Sequence, residues 1–170
     1  MGGTGIGRRL FIYIFTFLFL SAITFAVLVN YGKPKLNMPK LFYYNREKQS
    51  QVCFKEYCFN VELAVTPEER SRGLMYKKEL DSNSGMLFIF EKPGSYPFWM
   101  KNTFIPLDII WIDENGKIVF VSENAQPCDK YLCPSIEPAE NAKYVLELNG
   151  GASRKVGLVI GAKLDLKVNK

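Results

Sequence analysis

Leu107-Asp108-Ile109-Ile110-Trp111-Ile112-Asp113-Glu114-Asn115-Gly116-Lys117-Ile118-Val119-Phe120-Val121-Ser122 is the stretch that decides the fold class. Two runs rich in Ile, Val and aromatic residues flank Glu114-Asn115-Gly116, and Asn-Gly supplies the positive backbone angles a tight hairpin needs. The reading is a strand from Leu107 to Asp113 turning back into a strand from Lys117 to Ser122. Upstream, Met86-Leu87-Phe88-Ile89-Phe90 is a short continuous apolar run between turn signals at 81–85 and at Pro93-Gly94, as expected of a strand buried on both faces. Residues 59–65 begin with apolar–polar alternation, the pattern of a half-buried strand. Thr66-Pro67-Glu68-Glu69 carries a capping residue, a first-turn proline and the glutamate of a capping box, so a helix is expected from there to about Met75. Gly73 near its end leaves room for another backbone to come close. Downstream, strands are expected at 143–148, 156–160 and 164–168, with a turn at Asn149-Gly150-Gly151. That glycine pair lacks the Gly-Lys-Ser/Thr of a phosphate loop and precedes no predicted helix. Seven or eight short strands and one short helix predict a mainly β domain, an antiparallel β-sandwich or small barrel. The longest irregular piece is 123–142.

The N-terminal third is different. Leu10 to Val29 holds no charge, Gly or Pro, and twenty residues at 1.5 Å each match a hydrocarbon core of about 30 Å. The expected organisation is a short tail at 1–9, a transmembrane helix or signal peptide at 10–29, a basic linker at 30–50 and a β-rich globular domain at 51–170. Residues 1–50 hold seven Lys/Arg and one acid, whereas 51–170 hold fifteen Lys/Arg against sixteen Asp/Glu. The overall charge of +5 therefore belongs to the membrane-proximal segment, and the domain has no electrostatic footprint for nucleic acid. Arg8 and Arg9 before the apolar run fit a signal anchor, while Lys33, Lys35, Lys40, Arg46 and Lys48 after it pull the other way by the positive-inside rule. The cysteines and the short N-terminus favour a domain outside the cytosol, anchored or, after cleavage, secreted.

Four cysteines stand in two equal spacings, Cys53-Phe54-Lys55-Glu56-Tyr57-Cys58 and Cys128-Asp129-Lys130-Tyr131-Leu132-Cys133. An even count in an exported chain reads as two disulfides. If Lys55-Glu56 is a two-residue turn, Phe54 faces Tyr57 and Cys53 faces Cys58 in a non-hydrogen-bonded pair, with Cα atoms roughly 4.5 Å apart. The Lys-Glu turn is not the Asn-Gly type such hairpins prefer. Crossed pairing between the two motifs, and a single zinc site built from all four cysteines in a reducing compartment, are the alternatives.

Glu69-Arg70-Ser71-Arg72-Gly73-Leu74-Met75, Gly85-Met86-Leu87-Phe88, Phe98-Trp99-Met100-Lys101-Asn102-Thr103 running to Pro106-Leu107-Asp108-Ile109, and Tyr144-Val145-Leu146-Glu147 with Gly150-Gly151 together resemble the domain of unknown function 192 family. The resemblance covers about residues 59–168. It implies a mainly β, sandwich-like fold and an exported or membrane-anchored setting, and it implies no reaction. The Cys53–Cys58 pair looks like a local addition outside the shared core.

No histidine is present, which excludes Ser-His, Cys-His and His-metal chemistry within the chain. The candidate ligand site is polar residues set among aromatic ones. Trp99 offers a stacking platform, Lys101 and Asn102 are donors, Asp108 is an acceptor, and Arg72 and Thr103 stand nearby in the motifs. The plainer reading is a loop in which Asn102 and Thr103 satisfy turn backbone while Asp108 pairs with Lys101 or Arg72. Glu123 and Glu147 could join Asp108 as a carboxylate group for acid–base work on envelope glycan or for Ca²⁺ binding, although acids on strands are more often solvent-facing. Met75, Met86 and Met100 could ligate Cu(I), against the commoner use of Met as core filler. The sequence thus points to a membrane-tethered cell-envelope module that binds a small-molecule or envelope ligand without catalysis. A glycan hydrolase or transferase and a copper-binding protein are the alternatives, and no cofactor is assigned.

Overall fold

The computed structural model describes residues 49–169. The expected membrane or signal segment at 10–29 and nearly all of the basic linker lie outside them. Among the described residues no helix is long and apolar enough to cross a membrane. Nine strands form among these residues: β1 (Gln51–Phe54), β2 (Tyr57–Ala64), β3 (Ser84–Gly94), β4 (Phe98–Trp99), β5 (Leu107–Ile112), β6 (Ile118–Ala125), β7 (Ser135–Ile136), β8 (Ala142–Asn149) and β9 (Asp165–Lys167). Two short helices join them, α1 (Pro67–Arg72) and α2 (Ala152–Val156).

The main sheet has seven strands in the order β6-β5-β8-β3-β2-β1-β9, while β4 and β7 make a separate two-stranded ribbon. The fold is mainly β, but it is one curled half-barrel sheet and not a sandwich. It is also not purely antiparallel. β2 and β3 run parallel, from Asn60 beside Ser84 to Ala64 beside Phe88. The cause is the helix between them: α1 carries the chain back across one face, and a crossover of this kind delivers the next strand in the same direction. In a flat sheet, six spacings of about 4.8 Å would hold β6 and β9 about 29 Å apart. Yet Ile118 N–H donates to the Ala162 carbonyl (2.8 Å), and Leu164 N–H, just before β9, donates to the Gly116 carbonyl (2.8 Å). The sheet curls until its two edges are bridged at this corner.

Two apolar clusters follow from the alternation. One side gathers Val61, Leu87, Ile110, Ile112, Ile118, Leu146 and Leu148 and is closed by Leu158 and Leu164. The other gathers Met86, Phe88, Ile109, Trp111 and Val145 and is covered by Leu74, Met100 and partly buried Phe98. Phe98 meets Phe88 and Trp111 edge-on (centroids 4.8 and 5.6 Å), and the Trp111 indole N–H donates to the Tyr96 carbonyl (2.8 Å). β5 and the middle of β8 are therefore buried on both faces, and of the run Met86–Phe90 in β3 the first three residues are buried as expected while Ile89 and Phe90 are half-buried.

The local expectations were met where the signals were local. α1 has the capping box: Thr66 Oγ1 accepts from Glu69 N–H, and Glu69 accepts from the Thr66 N–H. It stops at Arg72, because Gly73 (φ 47°, ψ −136°) takes a conformation reserved for glycine. The hairpin at Asp113–Lys117 turns as read, with Gly116 at φ 83° and Asp113 Oδ1 accepting from Asn115 and Lys117 N–H. Cys53 faces Cys58, with a disulfide between them and Cα atoms 4.1 Å apart, and Lys55 takes the positive φ of 53° that its turn demands. Cys128 and Cys133 form the second disulfide, which sets aside crossed pairing and zinc. The strand expected at 156–160 does not form. Asn149-Gly150-Gly151 leads instead into α2, so the described residues hold two helices and the glycine pair does precede one. Gly157 (φ 78°) then ends it and leaves Val159 and Ile160 exposed.

Gly85 sits opposite Leu148 where β3 pairs with β8. A Cβ there would lie 2.6 Å from the Glu147 carbonyl oxygen and 2.7 Å from a Leu148 methyl. Gly85→Ala is expected to destabilise the domain by about 1–3 kcal/mol, the usual range for overpacking, read as a lowered urea midpoint with an unchanged m-value.

Candidate functional site

Glu147 lies mid-strand in β8, between Leu146 and Leu148, opposite Met86 on β3 and Ile109 on β5. Its neighbours in sequence face the first apolar cluster, so the carboxyl must enter the second. It does so with 4 % of its surface exposed, and its Oε2 is buried with no hydrogen-bond partner among the described residues. This overturns the expectation of a solvent-facing strand acid. Buried polar atoms are almost always paired, so an orphan carboxylate oxygen asks for an explanation. Burial pushes the Glu147 carboxyl up to about 8, because desolvation penalises its charged form.

The carboxyl closes the bottom of a small open cleft of about 30 Å³. α1 and its end provide one wall with Arg70, Ser71, Arg72 and Gly73. Phe88 of β3, Phe98 and Trp99 of β4, and buried Thr103 provide the others. Gly73 is what lets α1 come this close: a Cβ on it would sit 3.1 Å from the Phe88 ring and 3.9 Å from Glu147 Oε2. The approach inferred at Gly73 from sequence is real, but it is to side chains. Arg70 is held in place, donating to the Ile89 carbonyl (3.1 Å) and the Val65 carbonyl and lying over the Phe90 ring (5.1 Å). Arg72 is exposed and makes no salt bridge among the described residues. A second apolar depression shares Arg70, Ser71, Phe98 and Trp99 with the cleft and continues over Phe90 and Tyr96.

Four of the candidate ligand-binding residues thus converge: Arg72, Trp99, Thr103 and Glu147 line one cleft. Lys101 sits at its margin, with its ammonium over the rings of Trp99 (5.5 Å) and Tyr131 (5.9 Å). Asn102 serves the backbone, at φ 55°, with its amide donating to the Tyr76 hydroxyl (2.9 Å) and its N–H to the Cys128 carbonyl. Asp108 is on the opposite face of the sheet, fully buried, and pairs with neither Lys101 nor Arg72. Its Oδ1 accepts from Asn124 N–H (2.7 Å) and Gly151 N–H (2.9 Å), and its Oδ2 from Ser153 N–H (2.8 Å) and hydroxyl (2.6 Å). Glu123 is at the surface, paired with Arg154. The three carboxylates do not form a group: Asp108 stands opposite Leu148, and Glu147 opposite Ile109, on different sheet faces. Met86 and Met100 are buried in the second cluster, and Met75 lines the cleft. Phe88, Phe98, Arg70 and Ser71 stand in the motif blocks but are not among the candidate site residues named from sequence. The available signal was the acid at 147 inside an apolar run, which marks the face that has to be covered.

Glu147 carries a pH signature. Unfolded, it loses its proton near the usual 4.5; folded, near 8. Between those values the native state binds more protons, so the stability present below about 4.5 is lost as pH rises toward 8. Glu147→Gln is expected to match the native protein within about 1 kcal/mol at pH 5 and to exceed it by roughly 3–5 kcal/mol at pH 9, measured as melting temperature across the pH series. Asp108→Ala is expected to cost ~3–5 kcal/mol at neutral pH by orphaning three backbone donors, read by denaturant unfolding.

Residues 50–166 match the model of the domain of unknown function 192 family, described as an uncharacterized ACR. The match includes Cys53 and Cys58, so that disulfide lies within the family region and not outside it. Among curated proteins, none matches. Two crystal structures are similar. One is a Sinorhizobium meliloti 1021 protein described as a candidate transcription regulator, 36 % identical, covering 69 % of this chain and 92 % of its own, with a TM-score of 0.63. The other is a protein of unknown function from Novosphingobium aromaticivorans DSM 12444, 34 % identical, covering 69 % of this chain and 83 % of its own, with a TM-score of 0.62. A cleft built by Arg70–Gly73, Phe98–Thr103 and Glu147 is thus made from the blocks whose resemblance was read in the sequence, and the chain belongs to the domain of unknown function 192 family.

Proposed function

We propose that this chain is a non-catalytic, membrane-tethered module of the cell envelope that binds a small ligand in the cleft over Glu147. The observation that carries the reading is the unpartnered Oε2 of a carboxyl that is 4 % exposed at the bottom of an open cleft. A ligand that hydrogen-bonds it would offset a cost the empty fold bears. Catalysis by paired carboxylates has no geometric support, since Asp108 and Glu123 are already engaged elsewhere. The copper reading gains nothing from two methionines buried in a hydrocarbon core. The near balance of charge in residues 51–170 gives no support for carrying the regulator description of the Sinorhizobium protein over to this chain. An extracytoplasmic setting is supported by both disulfides together with the apolar run at 10–29.

A thermal-shift screen of envelope metabolites tests the binding reading. At a hundredfold excess over Kd, a ligand adds about 2.7 kcal/mol, and the shift is expected to vanish in Trp99→Ala. A screen in which no compound separates the native protein from that variant overturns it. For the setting, native protein from cells is expected to yield no titratable thiol, and a C-terminal reporter is expected to be active only outside the cytosol.

A further inference from the structure

The charge and shape of the cleft say more about its occupant. Besides Glu147, the charged side chains lining the cleft are Arg70 and Arg72 of α1, with Lys101 at the margin over Trp99 and Glu69 of α1 within reach of the Arg72 charge. β3, β4 and the segment at 100–103 contribute Phe88, Phe98, Trp99 and Thr103, none of them titratable. Among the described residues no second acid lines the cleft. The rim is therefore positive and the bottom apolar, where burial alone holds the Glu147 proton. An ammonium ligand would have to enter past two guanidinium groups. An anion would meet the Arg72 fork at the rim, a geometry suited to bidentate pairing with a carboxylate. Below it would meet a carboxylic acid hydrogen in place of a second negative charge. The adjoining depression over Phe90, Tyr96, Pro97 and Trp99 is apolar and continuous with the rim, so the rest of the ligand has a hydrophobic bed.

The geometry points to a binding site for the carboxylate end of an apolar molecule, with the anion held between Arg72 and the protonated Glu147 and the apolar body laid over Phe98 and Trp99. This deepens the binding reading above and rests on it. The same chemistry is offered by a short aliphatic or aromatic acid and by the C-terminus of a peptide ending in an apolar residue. Glu147 acts as hydrogen-bond donor, which it can do only while it keeps its proton. The carboxyl held up at about 8 by burial makes that the state at neutral pH. As pH rises past that point, two negative charges face each other and the ligand is expelled.

The experiment is calorimetric titration of the full chain in detergent with hexanoate, hexylamine and hexanol, which share one apolar body and differ in head group, at pH 6 and pH 9. Hexanoate is expected to bind, weakening at least tenfold from pH 6 to pH 9. Arg72→Ala is expected to weaken it at least tenfold at pH 6. Glu147→Gln keeps a donor but cannot ionise, so it is expected to bind at pH 6 and to lose the pH dependence. Should that variant misfold, the native pH series alone still decides. A pair of peptides with free or amidated C-termini separates the sources: binding of the free peptide well above hexanoate assigns the site to chain ends. Hexylamine binding, strengthening with pH, overturns the carboxylate assignment and leaves a ligand site standing. If none of the head groups binds and the metabolite screen is also empty, both readings fall.

Discussion

Three strands at the centre of this sheet, β3, β5 and β8, are apolar on both faces, and the rest of the molecule is arranged to keep water from each side. Each fully buried Ile, Leu or Val contributes on the order of 1.5–3 kcal/mol, and Leu87, Ile109, Ile110, Leu146 and Leu148 are all buried completely. One face is protected by curling the sheet until Gly116–Ile118 bonds to the 161–164 segment. The other cannot be protected the same way, because a sheet curls toward one side only. It is roofed by α1, Gly73–Leu74 and the β4–β7 ribbon. The roof is made of short pieces, and the cleft is the gap they leave over Glu147.

The two buried acids show opposite uses of the same chemistry. Asp108 is surrounded by four donors and joins β5 to the end of β6 and to α2, from which the chain returns across the curled sheet. Its charge is met by backbone dipoles and a hydroxyl that take the place of water. Glu147 Oε2 receives no such donor. A fold built for stability alone would place Leu there, as it does at 146 and 148. Sites that break the local rule without internal compensation are where function is usually found. Gly73 belongs to the same arrangement: its strained backbone ends α1 beside the acid and leaves space where a methyl would touch Phe88.

How far the sequence could be read depended on the distance over which each signal acts. The Asn-Gly hairpin, the Thr66–Glu69 capping box, the two-sided burial of 86–88 and the facing of Cys53 and Cys58 all concern residues within a few positions of each other. There, φ preferences and side-chain period suffice. The strand expected at 156–160 does not form because Gly151 opens a helical turn over Ala152–Val156 and Gly157 ends it. Asp108, forty-three residues back from Gly151, supplies the acceptor that makes a helical turn form there instead.

By itself, then, the sequence determined a mainly β domain, its short helix, the facing of Cys53 and Cys58 and the polar–aromatic blocks that line the cleft, since all of these follow from near-neighbour geometry and apolar pattern, whereas the cysteine pairing itself came from the structure. Only the tertiary structure decided that β2 and β3 run parallel, that the sheet is a single curled layer, that Asp108 and Glu147 face opposite ways, and that Glu147 lies under α1. Those outcomes depend on which strands are neighbours. That is chosen by the joint burial of residues far apart in the chain, and no local preference encodes it.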